Sequence, residues 1–318
     1  MAKDYEVIAN ATKMTRPEWL ELRRNYIGGS DCGAILGVNK YKGKYQLYLE
    51  KTGQIDVFDE DSESAAYFGR LLEPIVLNEF SKRTGKKVRN KNLVLRSKKY
   101  PWMIANLDSI TYSSETGEME IVEAKTCSEY KRDEWENGVG NQSYLAQILH
   151  YCICVGARRA HIACICGGNK FYYHTVKIND YKEMCEQIIE AEKEFYECCR
   201  NKSEPAIDGL EATTALLNGM YSEAKDSTII LPSDTRDVFE EYAEASKLVQ
   251  EADERKTAAA NKLRGLLGNN TAGTCGEHKV TWMSMNRTSF DQKKFAEIEP
   301  ELYRRYLKQN SFRRLVVA

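Results

Sequence analysis

The stretch from Trp102 to Lys125 places the tightest limit on how this chain can fold. WMIANLDSITY (102–112) and EMEIVEAK (118–125) are rich in apolar, aromatic and β-branched residues, and SSETG between them carries turn chemistry. The pair predicts a β-hairpin. With the turn centred between Glu115 and Thr116, Asp108 lies opposite Glu123. Side chains alternate along a strand, so Glu123 and Lys125 share a face while Ala124 turns away. Two carboxylates and an amine thereby converge on one spot of a largely apolar hairpin.

Like charges in such a place repel and lose solvation unless something positive sits between them. A hard divalent cation held by carboxylate oxygens is the natural partner, and magnesium keeps waters that serve as nucleophiles. A nearby ammonium orients such a water or stabilises the charge of a pentavalent phosphate. D-x(n)-E-x-K is a weak pattern alone. A surface hairpin with a solvated Asp and a Glu–Lys ion pair satisfies the same spacing, and the hairpin by itself leaves both readings open.

Three further stretches bear on the choice: WLELRRNYIGGSDCGAILG (19–37), FGRLLEPIVLNEFSKRTG (68–85) and SYLAQILHYCICVG (143–156). With the hairpin, and in the same order, they resemble the phage lambda-type and YqaJ-like exonucleases of the PD-(D/E)xK nuclease superfamily, over roughly residues 15–200. The resemblance implies an α/β (α+β) restriction-endonuclease-like core, a central mixed sheet flanked by helices. It implies that Asp108, Glu123, the third acid Glu73 and the backbone carbonyl of Ala124 hold one or two Mg2+ ions, with Mn2+ as a substitute. Lys125 then assists the attacking water, and Gln147 contacts the region of that water or the scissile phosphate. Arg23 and Ser30 align with residues that hold the 5′-terminal phosphate of DNA.

Each of these residues also has a plainer local reading. Gly28-Gly29-Ser30-Asp31 opens a short apolar helix, which suits either an anion or an ordinary N-cap. Glu73 reads locally as a helix-start acid favoured by the dipole. Gln147 reads as a packing or solvent-facing polar residue.

Composition sets outer limits. The 318 residues are 42% hydrophobic and 29% charged, ordinary for a globular protein with one large domain and an appendage. The N-terminus has no apolar core of the secretory type, and the longest apolar run is too short to span a bilayer, so a cytoplasmic protein is expected. The resemblance places it in a bacterial host, encoded by a phage or prophage. Ten cysteines read as reduced and packed. The C-x-C pairs Cys152/Cys154 and Cys164/Cys166 fit zinc spacing poorly. Some members of the superfamily carry an iron–sulfur cluster, but Cys185, Cys198 and Cys199 lack its spacing.

Net charge is −1, yet basic clusters (Arg23–Arg24, Lys82–Arg83, Lys86–Lys87–Arg89–Lys91, Arg96–Lys98–Lys99) contrast with the acidic loop 56–63. Flanking an acidic metal site, they suit a phosphate backbone.

Along the chain, Thr15-Arg16-Pro17-Glu18 is a capping box that opens a helix. Residues 44–53 and 68–84 read as helices, the latter with Pro74 in its first turn or at a kink. KKVRNKNLVLRS (86–97) reads as an edge-like strand. Helices at 143–155 and 180–201 flank a second hairpin around Gly167-Gly168. The expected domains are a nuclease domain at 1–205, a connector at 206–232 and a C-terminal unit at 233–318 for docking or oligomerisation. In that unit, apolar residues at four–three spacing predict one helix over 235–267. HKVTWMSM (278–285) and FRRLVVA (312–318) read as strands that pair, and FAEIEPELYRRYLK (295–308) as one short helix.

The function that the resemblance implies is 5′→3′ resection of double-stranded DNA ends. It leaves a 3′ strand for a phage single-strand annealing protein of the RecT/Bet type, with the nuclease as a homo-oligomer, most simply a trimeric ring. The rivals are a restriction- or resolvase-like endonuclease on the same core and a non-catalytic DNA-binding scaffold.

Overall fold

A computed structural model describes residues 3–57, 65–90, 92–308 and 312–317. The chain divides into two compact units, Met1–Met220 and Tyr221–Ala318. The strands of the first are β1 (Tyr5–Asn10), β2 (Ile27–Gly28), β3 (Arg89–Asn90), β4 (Leu93–Ser97), β5 (Met103–Asn106), β6 (Ser109–Tyr112), β7 (Met119–Cys127), β8 (Arg159–Cys166) and β9 (Lys170–Lys177). They form two mixed sheets, ordered β1-β4-β5-β2 and β3-β6-β7-β8-β9, with β2–β5 and β7–β8 as the parallel pairs. The helices are α1 (Arg16–Arg24), α2 (Gly29–Ile35), α3 (Lys44–Lys51), α4 (Ala65–Thr84), α5 (Asp133–Glu136), α6 (Gln142–Val155), α7 (Lys182–Asn201) and α8 (Glu211–Met220). This is the expected mixed α/β class.

The hairpin keeps the register set by its turn: Ser109 pairs with Val122, Ile110 with Ile121, Thr111 with Glu120 and Tyr112 with Met119. Its first arm is not one strand, however. β5 pairs with β4 in the other sheet, and the chain changes sheets across Leu107–Asp108. Leu107 is buried there, and the ladder ends at Ser109. Beyond it the Asp108 carboxylate accepts the Ala124 N–H.

Alternation then gives the two faces of β7 to different helices. Ile121 packs in the core with Ala146, Ile148 and Leu149 of α6. Val122, with Ala163 of β8, packs against Val76, Leu77 and Phe80 of α4. Helix α6 begins at Asn141, whose side chain accepts from the Ser143 and Tyr144 N–H groups, and stops at Gly156 in the left-handed conformation.

Several expectations need correction. Helix α4 starts at Ala65, so Pro74 and Glu73 lie mid-helix rather than in a first turn. Residues 86–97 form two short strands in different sheets, and β4 is interior because β1, which the sequence reading missed, pairs along its free side. Lys91 and most of the acidic loop 56–63 lie outside the described residues. Part of the stretch read as a connector is α8, whose Leu216 is buried.

In the second unit, α9 (Thr235–Leu267) has the bounds that its apolar spacing predicts, ~50 Å of helix. No described element of its own unit covers the stripe: Val238 is 61% exposed and Val249 70%. Strands β10 (Ala272–Cys275) and β11 (His278–Thr281) pair with each other, and 312–317 forms no strand. A two-residue turn at Gly276-Glu277 brings β10 beside β11 with a much shorter loop to close. The helix predicted for 295–308 is split into α10 (Gln292–Ile298) and α11 (Pro300–Tyr306), since Pro300 cannot continue a helix from before it. Among the described residues no helix is long and apolar enough to cross a membrane.

Candidate active site

A cavity of about 560 Å³ in the first unit is lined by Arg23, Ser30, Glu73, Asp108, Glu123, Ala124, Lys125 and Gln147. These are the eight positions singled out in the sequence, and five elements and one inter-sheet crossing deliver them. β7 supplies Glu123 and Lys125 on one face. The crossing at Leu107–Asp108 supplies the second acid, α4 the third, and α6 the amide. α1 and the start of α2 bring Arg23 and Ser30. Among the described residues that line the cavity there is no histidine.

Within the cavity the polar groups form a tight network. Lys125 Nζ donates to Glu123 Oε1 at 2.7 Å and to Gln147 Oε1 at 2.9 Å. Gln147 Nε2 donates to the same Glu123 Oε1 at 2.8 Å and to the Tyr151 hydroxyl at 3.1 Å. Lys125 Nζ also sits 5.0 Å from the centre of the Tyr144 ring, a cation–π distance. Glu123 is only 2% exposed, and its Oε2 has no partner among the described residues.

The electrostatics follow from crowding. Burial, then the charge of Asp108, pushes the Glu123 carboxyl up to about 8. Burial and Asp108 push Glu73 up to about 7. Asp108 is raised by burial, against the pull of Lys125 and of the Ala124 N–H. For Lys125, burial disfavours the ammonium, but Glu123 and Asp108 outweigh it and raise its pKa. A charged lysine among three carboxyls whose pKa values are all raised marks a site short of positive charge.

Glu120, three residues earlier on β7, is a useful contrast. It is equally buried but points to the other face, where Lys86, Arg159 and His161 all contact it at 2.7–3.1 Å. Burial would raise its pKa, yet His161 and Lys86 lower it below the usual value. Two buried glutamates on one strand thus have opposite balances.

The group that fits the deficit is a hard cation. Three carboxylates, one with an orphaned and buried oxygen, offer the donors that magnesium prefers. Glu123 Oε2, Asp108 and Glu73 would hold it, with Ala124 lining the same cavity.

The second half of the cavity is a cationic corner. Arg23 Nη2 donates to Ser30 Oγ at 2.8 Å and to Asp31 Oδ1 at 2.7 Å. Asp31 also accepts from Lys51 Nζ at 2.7 Å and from the Gly28 N–H. Lys51, whose side chain is only 7% exposed, further donates to the Arg23 and Tyr26 carbonyls at 2.6 Å. Despite burial, Arg23 and Lys51 hold the Asp31 carboxyl far below the carboxylate range.

Asp31, Lys51, Tyr144 and Tyr151 escaped the sequence reading. Asp31 sits where a capping acid is expected, and Tyr151 lies one helical turn after Gln147. Lys51 has no local signal, because α3 brings it from elsewhere. Gly29 admits the Tyr151 ring: a Cβ there would stand 2.4 Å from the ring's Cε1.

Comparison with known proteins places the chain. A family profile described as the YqaJ-like viral recombinase domain matches residues 18–158. Protein YqaJ of Bacillus subtilis (strain 168) is 36% identical over 317 residues, covering 98% of this chain and 97% of that protein. Among solved structures, the alkaline exonuclease LHK-Exo of Laribacter hongkongensis is similar at 13% identity and a TM-score of 0.42, over 60% of this chain and 100% of that one. A phage related exonuclease of Haemophilus somnus 129PT is similar at 10% identity and a TM-score of 0.40, over 56% and 96%. The convergence of motifs and the full-length relative give one conclusion: the chain belongs to the YqaJ-like viral recombinase family.

Proposed function

We propose that this protein is a magnesium-dependent exonuclease that resects double-stranded DNA 5′→3′ from its ends. The observation that carries this reading is the pairing, in one cavity, of an under-neutralised carboxylate cluster with a cationic corner. Bound Mg2+, or Mn2+ in its place, supplies Lewis acidity and an activated water at the phosphate. The chain's own groups do the rest. Lys125 holds a positive charge beside the developing phosphorane charge, and Gln147 fixes both Lys125 and Glu123 in place. Arg23 and Ser30 supply directed donors for a terminal phosphate.

The same reading extends to assembly. The product is a 3′ single strand handed to an annealing protein of the RecT/Bet type. The nuclease acts as a homo-oligomer, a trimeric ring, which retains a polyanion despite a net charge of −1. The open stripe of α9 supports a role in docking the annealing protein.

The test compares linear with covalently closed circular duplex DNA, with magnesium and with chelator. Degradation of linear DNA alone, dependent on the metal, is expected. Cutting of the closed circle would favour the endonuclease rival, and binding without cleavage of either substrate the scaffold.

A further inference from the structure

We propose that Cys127, Cys164 and Cys166 form a trithiolate site for a single zinc-class metal ion, beyond the Lys125 end of the candidate active site. Two strands assemble it. In the parallel pair β7–β8, Cys127 faces Cys166 and Lys125 faces Cys164. Paired positions present side chains to the same face, so all three thiols lie on the face that carries Glu123 and Lys125. The C-x-C pair on β8 has no zinc spacing by itself. Its third member comes from β7, 37 residues before Cys164.

The sulfurs already converge. Sγ of Cys164 lies 3.6 Å from that of Cys127 and 3.8 Å from that of Cys166, while Cys127 and Cys166 stand 2.6 Å apart. Thiolates around zinc, each ~2.3 Å from the metal in a tetrahedral arrangement, sit ~3.8 Å from one another. Two of the three separations match that value. The third opens to it by rotation of Cys127, the half-buried member and the route by which an ion enters. A bond between Cys127 and Cys166 would relieve their crowding but leave Cys164 aimed at it without a role; a shared ion uses all three.

Burial, then neighbouring sulfur, pushes the Cys166 thiol up to about 12, and Cys164 is raised further for the same reasons. As free thiols Cys164 and Cys166 are weak nucleophiles, so a reactive cysteine at either is not the reading. A thiophilic ion supplies the charge that lets them ionise. Soft sulfur and hard carboxylate donors select different metals, so this site does not compete with the carboxylates for magnesium.

The experiment titrates the reduced full-length protein with Co2+. A thiolate-to-cobalt charge-transfer band saturating at one ion per chain, displaced by Zn2+ and untouched by Mg2+, is the expected result. Cys127→Ser, at the least buried of the three thiols, should weaken binding at least about tenfold. Cys275→Ser, at an exposed thiol in the second unit, should leave it unchanged. In wild-type protein Zn2+ should also protect Cys127 from alkylation, a readout that needs no variant. Absence of the band, a band unaltered in Cys127→Ser, or alkylation of Cys127 at the same rate with zinc would overturn the site. So would a Cys127–Cys166 disulfide that re-forms after reduction and leaves no metal bound.

Discussion

Asp108 Oδ2 accepts the Ala124 N–H at 2.9 Å, so the residue at which the chain leaves one sheet is latched to the other between Glu123 and Lys125. The latch fixes where the second acid points. Asp108→Asn keeps an acceptor but removes the charge, as Glu123→Gln does, and Lys125→Ala removes the ammonium. Each should lower cleavage of linear duplex by at least about a hundredfold, with unchanged circular dichroism and retained DNA binding. Near wild-type digestion by any one of them would move the active site elsewhere.

Metal-free stability should fall with rising pH because of Glu123. Its carboxyl titrates at about 8 in the folded protein, against an ordinary 4.5. The folded state therefore keeps a proton that the unfolded chain has lost. That contribution is complete below about 4.5 and is lost as pH rises through about 8. Glu123→Gln, permanently neutral, should lack this slope and melt higher than wild type at about pH 8 in chelator. Thermal melts across the range, with and without Mg2+, measure it. Parallel pH profiles for the two proteins would contradict the raised carboxyl.

End recognition should depend on the cationic corner. Arg23→Ala and Ser30→Ala should bring the ratio of rates on 5′-phosphorylated and 5′-hydroxyl duplex towards one, a loss of about tenfold in preference. An unchanged ratio would remove both residues from that role. Lys51→Met should act through position, since Lys51 ties Asp31 to the Arg23 and Tyr26 carbonyls. It should cost about 3 kcal/mol in denaturant melts and reduce the same ratio.

Gly29→Ala should destabilise by about 1–3 kcal/mol through overpacking, because the added carbon meets the Tyr151 ring. Tyr151 accepts from Gln147, so the rate should fall as well as the melting temperature. A fully active, fully stable variant would show that the ring moves aside freely.

Removal of residues 221–318 should spare nuclease activity and oligomer size but abolish capture of the annealing protein. The first unit holds its own core clusters and the whole cavity. Light scattering and an end-digestion assay on the truncated chain check this. A well-folded monomer would assign the oligomer contact to the second unit instead.

What the sequence disclosed and what it hid divide along physical lines. Register in the hairpin was legible because a short turn fixes it and a one-residue slip would turn Glu123 outward. The bounds of α9 were legible from periodicity over many turns. The sheet change at Leu107–Asp108 was not, since 102–112 keeps strand character throughout and only pairing partners distinguish its halves. Strand β1 was missed for a similar reason: its pattern is broken by a bulge between Val7 and Ala9. Of the two places open to Pro74, the first turn failed because packing of Val76, Leu77 and Phe80 against β7 and β8 holds the helix through a proline that is normally costly there. Lys51 and the thiol trio depend on tertiary neighbours and leave no local trace.

Glu120 and Glu123 have a spectroscopic consequence. Infrared spectra separate a protonated carboxyl from a carboxylate by its C=O stretch. At neutral pH without metal, β7 should contribute one protonated carboxyl, from Glu123, while Glu120 remains ionised between its basic neighbours. Adding magnesium should erase that band, and Glu123→Gln should remove it from the start, leaving only the smaller contribution of Glu73. Glu120→Gln should leave it in place. A nine-residue strand would then carry its own internal reference for occupancy of the site.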